Sequence, residues 1–186
     1  MDTDSLVARD TGDDRELWRI AAADHGWDAA TLATPPGPSP VEGMALLITS
    51  DSTGALVDLR DGTVVSNTAQ EAWRDPATGT LVVFDGTGLH AFDPEHEPLW
   101  QLTVGLDTDV AAVGGVFIYV REDDTVRVHN VVTGAVAEAY DPRDQGSVIV
   151  PAHLPVRGGG LVRDGGRLLV ATIPETQPPP DNAPGG

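Results

Sequence analysis

The sequence contains no cysteine and no lysine, and aromatic residues make up only 5% of it. Without cysteine the chain can form neither a disulfide framework nor a thiolate metal site, and it has no cysteine nucleophile. Its 11 basic residues are all arginine and face 29 acidic residues, so the formal net charge is −18. Because such a surface repels phosphate groups, we expect neither nucleic acid nor an anionic membrane as a partner.

Long hydrophobic runs are also missing. No segment reaches the length that a transmembrane helix needs. The chain begins Met-Asp-Thr-Asp, whereas a secretory signal begins with basic residues and continues with an apolar stretch. We therefore expect no direct insertion into a membrane, and the sequence leaves the compartment open.

Glycine and proline are abundant instead, with 21 and 15 residues, which favours short strands joined by tight turns. Residues 78–105 give the basic unit. Its apolar segments with alternating side chains are 81–84, 89–92 and 99–102. The turns between these segments are rich in aspartate, glycine and proline, so the unit reads as strand, turn, strand, turn, strand.

The unit recurs along the chain. Equivalent strands begin at Leu46, Leu81 and Phe117, which are 35 and 36 residues apart. A repeat of four short strands at this period is typical of propeller blades stacked around an axis. The sequence therefore predicts an all-β chain, a β-propeller of four-stranded antiparallel blades. About four blades' worth of chain is present, starting and ending in mid-blade.

Two ways of closing such a ring stay open. Strands at Leu6–Ala8 and Leu17–Ile20 could complete the blade that residues 160–173 begin, which would seal a small ring. Otherwise the chain is one piece of a larger propeller, completed by further sequence or by a second copy, and we favour this reading. In that case the open blade edges would promote self-association.

One spacing within the unit is specific. Ala8, Asp10 and Trp18 follow the pattern Ala-x-Asp-x-x-Thr-Gly-x-x-x-Trp. In later copies the same register selects Asp58 and Gly62, then Asp93 and Trp100, then Asn130 and Gly134. This pattern resembles the tryptophan-docking repeat of the pyrroloquinoline-quinone-like propellers. The resemblance implies that the tryptophan packs across the interface between blades and that the aspartate and glycine shape the preceding turn.

Each copy departs from the family pattern. Ser66 and Glu138 stand where the pattern has tryptophan, so we expect weaker docking at these two positions. The unit that contains Asp93 is one residue short before its tryptophan. Trp27 and Trp73 fall outside the docking register, and we expect them in the core or at an interface.

The resemblance covers most of residues 5–173. We therefore predict one propeller domain over residues 1–173, complete or partial. Residues 174–186 are rich in proline and have little to bury, so we expect a disordered tail. The resemblance also favours an extracytoplasmic location.

The family includes quinoprotein dehydrogenases, which hold quinone and Ca²⁺ and often use a vicinal cysteine pair, but many members bind no quinone and act as scaffolds. Because the sequence has no cysteine and no recognisable Ca²⁺ constellation, we disfavour both cofactors. We expect a non-enzymatic scaffold that mediates protein–protein interaction. The alternative is a small-ligand or quinone- and Ca²⁺-dependent enzyme domain with its site at the propeller axis, where His90, His129 and Asp58 are the candidates.

Two further groups of residues invite a functional interpretation. The acidic turns Asp51–Gly54, Asp85–Gly88 and Glu122–Asp124 could bind Ca²⁺ or a basic partner. None has calcium-loop spacing, so we interpret them as hairpin turns. His90 and His129 occupy similar places in adjacent units but lack further ligands at metal-binding spacing. We therefore predict no metal site and no catalytic residue.

Overall fold

A computed structural model describes residues 4–28, 30–35, 39, 41–48, 54–105, 107–122 and 125–137. It describes the backbone alone for residues 153–156, 159–164 and 167–172. The sequence also predicts a strand at residues 148–150, and this strand and the predicted tail lie outside these ranges. The strands are β1 Ser5–Arg9, β2 Glu16–Ala21, β3 Met44–Ile48, β4 Gly54–Asp58, β5 Val64–Ser66, β6 Glu71–Arg74, β7 Leu81–Phe84, β8 Gly88–Phe92, β9 Pro98–Thr103, β10 Asp109–Gly114, β11 Phe117–Glu122, β12 Thr125–Asn130, β13 His153–Val156, β14 Gly159–Asp164 and β15 Arg167–Thr172.

In the described parts of the chain, the strands form five antiparallel sheets in chain order: β1–β2, β3–β5, β6–β9, β10–β12 and β13–β15. Within each sheet every strand pairs with its neighbour in sequence, so each sheet is an up-and-down meander. This is the connectivity of a propeller blade. The predicted all-β fold class with antiparallel blades is confirmed. The sheet β6–β9 is a full four-stranded blade, and the first sheet contains two strands.

Two local features were not settled by the sequence pattern. The sequence pattern does not predict strand β6, because the strand is four residues long and its Ala72 and Trp73 are flanked by charged residues. The sequence of residues 21–33 is compatible with a strand or a short helix, and its alanines favour the helix. The structure has a 3₁₀ helix at Ala22–His25, which ends at Gly26 with φ of +71°. Within the described ranges, no helix has the length and apolar character needed to cross a membrane.

Neighbouring sheets pack face to face through apolar clusters. The first cluster, between β1–β2 and β3–β5, includes Ile20, Trp27, Leu47, Ala55 and Val57. The second, between β3–β5 and β6–β9, includes Met44, Leu46, Leu56, Leu81 and Val83. The third, between β6–β9 and β10–β12, includes Val82, Leu89, Ala91, Ile118 and Val120, with Trp73 against it. Each of the sheets β3–β5 and β6–β9 is therefore buried on both faces.

Strand β7 shows how one short sequence serves two interfaces. Leu81 and Val83 point into the second cluster, whereas Val82 points into the third. All three side chains are at most 1% exposed. Side chains alternate across a strand, so a continuous apolar run is what a sheet covered on both faces requires.

The two alternative ring closures can be compared with the strand pairing. Strand β2 pairs with β1, and β15 pairs with β14. The N-terminal strands thus form a sheet of their own and do not enter the sheet β13–β15. Among the described strands, the closure in which both ends share one blade is not formed.

Replacing Leu56 with alanine tests whether stability depends on these clusters. Leu56 is fully buried in β4, so we expect the free energy of unfolding to fall by about 2–5 kcal/mol. The measurement is urea unfolding followed by circular dichroism. Leu17→Ala is the matched control, since Leu17 is 48% exposed and should change stability by no more than about 0.5 kcal/mol. Equal losses in the two variants would contradict this interpretation of the core.

Candidate functional site

A turn of one design recurs at the ends of the sheets. After β4, the Asp58 amide donates to the Thr63 carbonyl and the Gly62 amide donates to the Asp58 carbonyl, both at 2.9 Å. The Asp58 carboxylate also accepts the Arg60 amide at 2.8 Å. A short carboxylate that folds back onto its own backbone is what makes aspartate common in turns.

The turn after β12 repeats this geometry with asparagine. The Asn130 amide donates to the Ala135 carbonyl and the Gly134 amide donates to the Asn130 carbonyl, both at 2.8 Å. The Asn130 side-chain oxygen accepts the amides of Val132 at 2.9 Å and Thr133 at 3.0 Å. Aspartate and asparagine are interchangeable here, because the turn needs only an acceptor oxygen at that distance from the backbone.

Trp18 extends from β2 to the first of these turns. Its Nε1–H donates to the Leu59 carbonyl at 2.9 Å, which links the first sheet to the second. A Cβ atom at Gly62 would lie 2.9 Å from the Cδ2 atom of the Trp18 ring. Gly62 also has φ of +80°, which disfavours other residues. The turn conformation favours glycine at this position, and the indole ring leaves no room for a Cβ atom.

Trp100 makes the same kind of contact at the interface between the sheets β6–β9 and β10–β12. It extends from β9, and its Nε1–H donates to the Val131 carbonyl at 2.8 Å. A Cβ atom at Gly134 would lie 2.9 Å from the Trp100 ring, and Gly134 has φ of +71°. Each tryptophan thus contacts the glycine of the following copy of the repeat. The spacing of residues within one copy does not predict this partner.

The remaining docking candidates lie beside a docking tryptophan or in the corresponding turns. Ala8 is paired with Trp18 across β1 and β2. Asp10 accepts the Gly12 amide at 2.7 Å, and Asp93 accepts the Glu97 amide at 2.8 Å. These two aspartates therefore have the turn-forming contacts that Asp58 has.

His90, His129 and Asp58, the three candidates for an axial site, have different partners. His90 Nε2 lies 2.8 Å from the Asp85 carboxylate, and His129 Nδ1 lies 2.9 Å from the Gly134 carbonyl. The Asp58 carboxylate binds the Arg60 guanidinium at 2.7 Å. Among the contacts of the described residues, none joins two of the three candidates.

The turn Asp85–Gly88 is organised by its aspartate. The Asp85 carboxylate accepts the amides of Thr87 at 2.8 Å and Gly88 at 2.7 Å, besides its contact with His90. Burial alone would raise the pKa of this carboxyl, but the hydrogen bonds from Thr87, His90 and Gly88 outweigh it and hold the pKa below its ordinary value. The other two acidic turns lie partly outside the described residues.

A cavity of about 40 Å³ lies between β9 and the β11–β12 hairpin. Its lining residues are Leu102, Thr103, Val120, Glu122, Arg127 and His129. Because His129 Nδ1 faces a carbonyl oxygen, that nitrogen carries a proton. A space of this size accommodates water-sized molecules. In the part of the chain that the structure describes, no three His, Asp or Glu side chains converge as a metal-binding group.

Comparison with known proteins does not assign this chain to a family. No family model matches the chain, and the search of curated proteins found no match. Among solved structures, the chain is similar to BamB from Moraxella catarrhalis, with 20% identity over 73% of this chain and a TM-score of 0.39. It is also similar to the computationally designed Ika4 protein, with 16% identity over 76% of this chain and a TM-score of 0.44. The matches span 42% of the BamB chain and 96% of the Ika4 chain.

Gly62→Ala tests the close approach of Trp18. Gly26→Ala is a matched control, because Gly26 has a similar φ of +71° but nothing within 4 Å of the place a Cβ atom would take, whereas Gly62 meets the indole ring. Both variants should lose about 1–2 kcal/mol to backbone strain. Gly62→Ala should lose about 1–3 kcal/mol more, because the ring is displaced. Urea unfolding measures both.

A Trp18→Ala background completes this test. Without the indole ring, the additional loss at Gly62 should vanish and leave only the strain that the two glycine positions share. An unchanged additional loss in that background would show that the Trp18 contact is not its cause.

The Asp85 turn should make stability depend on pH. Its pKa is lowered in the folded chain, so its contribution is present above the ordinary value of 3.8 and is lost as the pH falls through the folded value. Asp85→Asn retains an acceptor oxygen but cannot titrate. We expect the urea midpoint of the wild type to fall more between pH 6 and pH 3 than that of the variant. Parallel decreases would show that Asp85 does not contribute to acid sensitivity.

Proposed function

We propose that this chain is a non-enzymatic scaffold for protein–protein interaction, built on degenerate repeats of the pyrroloquinoline-quinone-like type. The observation that supports this function is the use of the polar side chains at the sheet ends. Asp58, Asp85 and Asn130 each bind amides of their own turns. These groups hold loops in a fixed shape, and loops fixed on a rigid framework are the usual means by which repeat proteins bind partners.

Exposed apolar side chains beside the turns support the same proposal. Leu59, whose carbonyl accepts the Trp18 hydrogen bond, is 47% exposed. Val132 follows the carbonyl that accepts the Trp100 hydrogen bond and is 39% exposed. Covering exposed apolar side chains with a partner removes them from water, and this burial favours association. The net charge of −18 favours a basic partner, since opposite charge accelerates association.

The residues present do not fit quinone and calcium well. Calcium needs several converging carboxylate or carbonyl oxygens. In the described part of the chain, Asp58, Asp85 and Asp93 bind amides of their own turns. The cavity beside His129 has a volume of about 40 Å³, whereas cofactor pockets typically have roughly 300 Å³ or more, so a quinone would not fit in this cavity.

Binding of a partner is the direct test of the scaffold function. A protein captured by the immobilised chain is purified, and its association is measured by surface plasmon resonance at two salt concentrations. We expect an association rate that falls with salt, and affinity that falls at least about tenfold for Leu59→Asp combined with Val132→Asp. Asp24→Asn provides a control at an acidic position away from these turns. Equal binding by the urea-unfolded chain, or by the double variant, would contradict the proposal.

The alternative function is a small-ligand or quinone- and Ca²⁺-dependent site at the propeller axis, with His90, His129 and Asp58 as its candidate residues. A ligand that prefers the folded chain must raise its melting temperature. For a scaffold we expect quinone with Ca²⁺ to leave the melting temperature unchanged. Binding with ligand at about 100 times its dissociation constant would add about 2.7 kcal/mol and raise the melting temperature by roughly 5–10 °C. Such a rise would overturn the scaffold proposal in favour of a ligand site.

A further inference from the structure

The interface between the sheets β3–β5 and β6–β9 lacks the tryptophan found at the interfaces on either side. Trp18 is paired with Ala8, and Trp100 is paired with Ala91. In the sheet β3–β5 the corresponding pair is Leu56 with Ser66. Ser66 therefore occupies the docking position but brings no ring to the sheet that follows.

The receiving turn of this interface also lacks its glycine. The His96 amide donates to the Asp93 carbonyl at 3.0 Å, and the Asp93 amide donates to the Glu97 carbonyl at 2.9 Å. These two bonds correspond to those that define the turns at Gly62 and Gly134, with one residue fewer between the bonded groups. His96 has φ of +70°, close to the values of the two glycines. By hydrogen bonding and backbone conformation, His96 stands at the docking-glycine position.

The two substitutions have one physical explanation. At the interfaces with a tryptophan, a Cβ atom on the receiving turn would lie 2.9 Å from the indole ring, so the turn needs glycine. Where Ser66 replaces the tryptophan, no indole ring excludes a side chain from that space. A histidine on the receiving turn can then extend toward the preceding sheet, at the expense of its left-handed backbone conformation.

The His96 side chain makes a contact across this interface. It is only 9% exposed, and its Nε2 lies 3.6 Å from the Asp58 carboxylate, which is 6% exposed. Within the described residues this buried nitrogen has no hydrogen-bond partner. The pKa of Asp61 is lowered, chiefly because Thr63 donates to its carboxylate and in smaller part because His96 is near. These contacts connect the turn 93–97 to the turn 58–63.

We infer that His96 fastens the second interface in the reverse direction. At the other two interfaces a tryptophan of the preceding sheet contacts the turn of the following sheet. Here a side chain of the following turn contacts Asp58 of the preceding sheet, in the place that the absent ring at Ser66 leaves. This inference assumes the proposed docking role of Trp18 and Trp100 and extends it to the interface without a tryptophan.

The first test exchanges one fastening for the other. Ser66→Trp alone should lower the urea midpoint, because the His96 side chain occupies the space that the ring needs. His96→Gly alone removes the contact with Asp58 but also relieves the strain of the left-handed backbone, so the diagnostic quantity is its coupling to Ser66→Trp. In the double variant the ring can dock on glycine. Its equilibrium constant for unfolding should therefore be at least about tenfold smaller than the value obtained by combining the effects of the two single variants. Additive effects would overturn the inference.

A second cycle needs no large side chain and applies if a tryptophan variant does not fold. His96→Ala removes the ring but retains the same backbone strain, and Asp58→Asn retains the turn, as Asn130 does in its own turn. His96→Ala should raise the equilibrium constant for unfolding in the wild type and in the Asp58→Asn variant. The factor of increase should be at least about three times larger in the wild type. Equal effects in the two backgrounds would overturn the inference.

The two proposals fail in different experiments. If the effects of the Gly62 and Trp18 substitutions prove additive, the docking role of the tryptophan is contradicted, whereas the energy measured between His96 and Asp58 does not change. Loss of coupling between His96 and Asp58, with the Trp18 coupling intact, would overturn only the reversed fastening.

Discussion

Burial of both faces of each central sheet is the constraint on which the rest of this structure depends. The strands are short, and β7 sends Leu81 and Val83 to one neighbouring sheet and Val82 to the other. Full burial of one such side chain contributes about 1.5–3 kcal/mol. A sheet standing alone would leave one apolar face in water, so each sheet is stable only when its neighbours cover it.

Apolar burial has no direction, and it does not by itself fix how two sheets align. The turns at the sheet ends provide the alignment. The indole hydrogen bonds of Trp18 and Trp100 each select one carbonyl in the next sheet, and Gly62 and Gly134 leave room for the rings. At the interface between them, the contact of His96 with Asp58 replaces the aromatic one. The polar contacts at the sheet ends thus set the alignment in which the apolar faces pack.

This use of polar groups also guides the proposal on function. A carboxylate that accepts amides of its own turn holds the loop rigid and is less available to bind an ion or activate a nucleophile. A propeller of this kind can host enzymes and scaffolds alike, so the sites and not the fold must decide between them. The proposed binding surface consists of the turns fixed by Asp58 and Asn130 and the exposed Leu59 and Val132 beside them.

The sequence by itself determined the all-β class, the period of the repeat and most strands, because side-chain alternation and turn chemistry are local. It did not show β6, where Ala72 and Trp73 are too few to form a pattern. Tertiary structure alone decided that Trp18 contacts the turn at Leu59 and that His96 contacts Asp58. These partners are 41 and 38 residues apart in sequence. Contacts of this range depend on how whole sheets stack, and no local pattern specifies which copy of a repeat faces which.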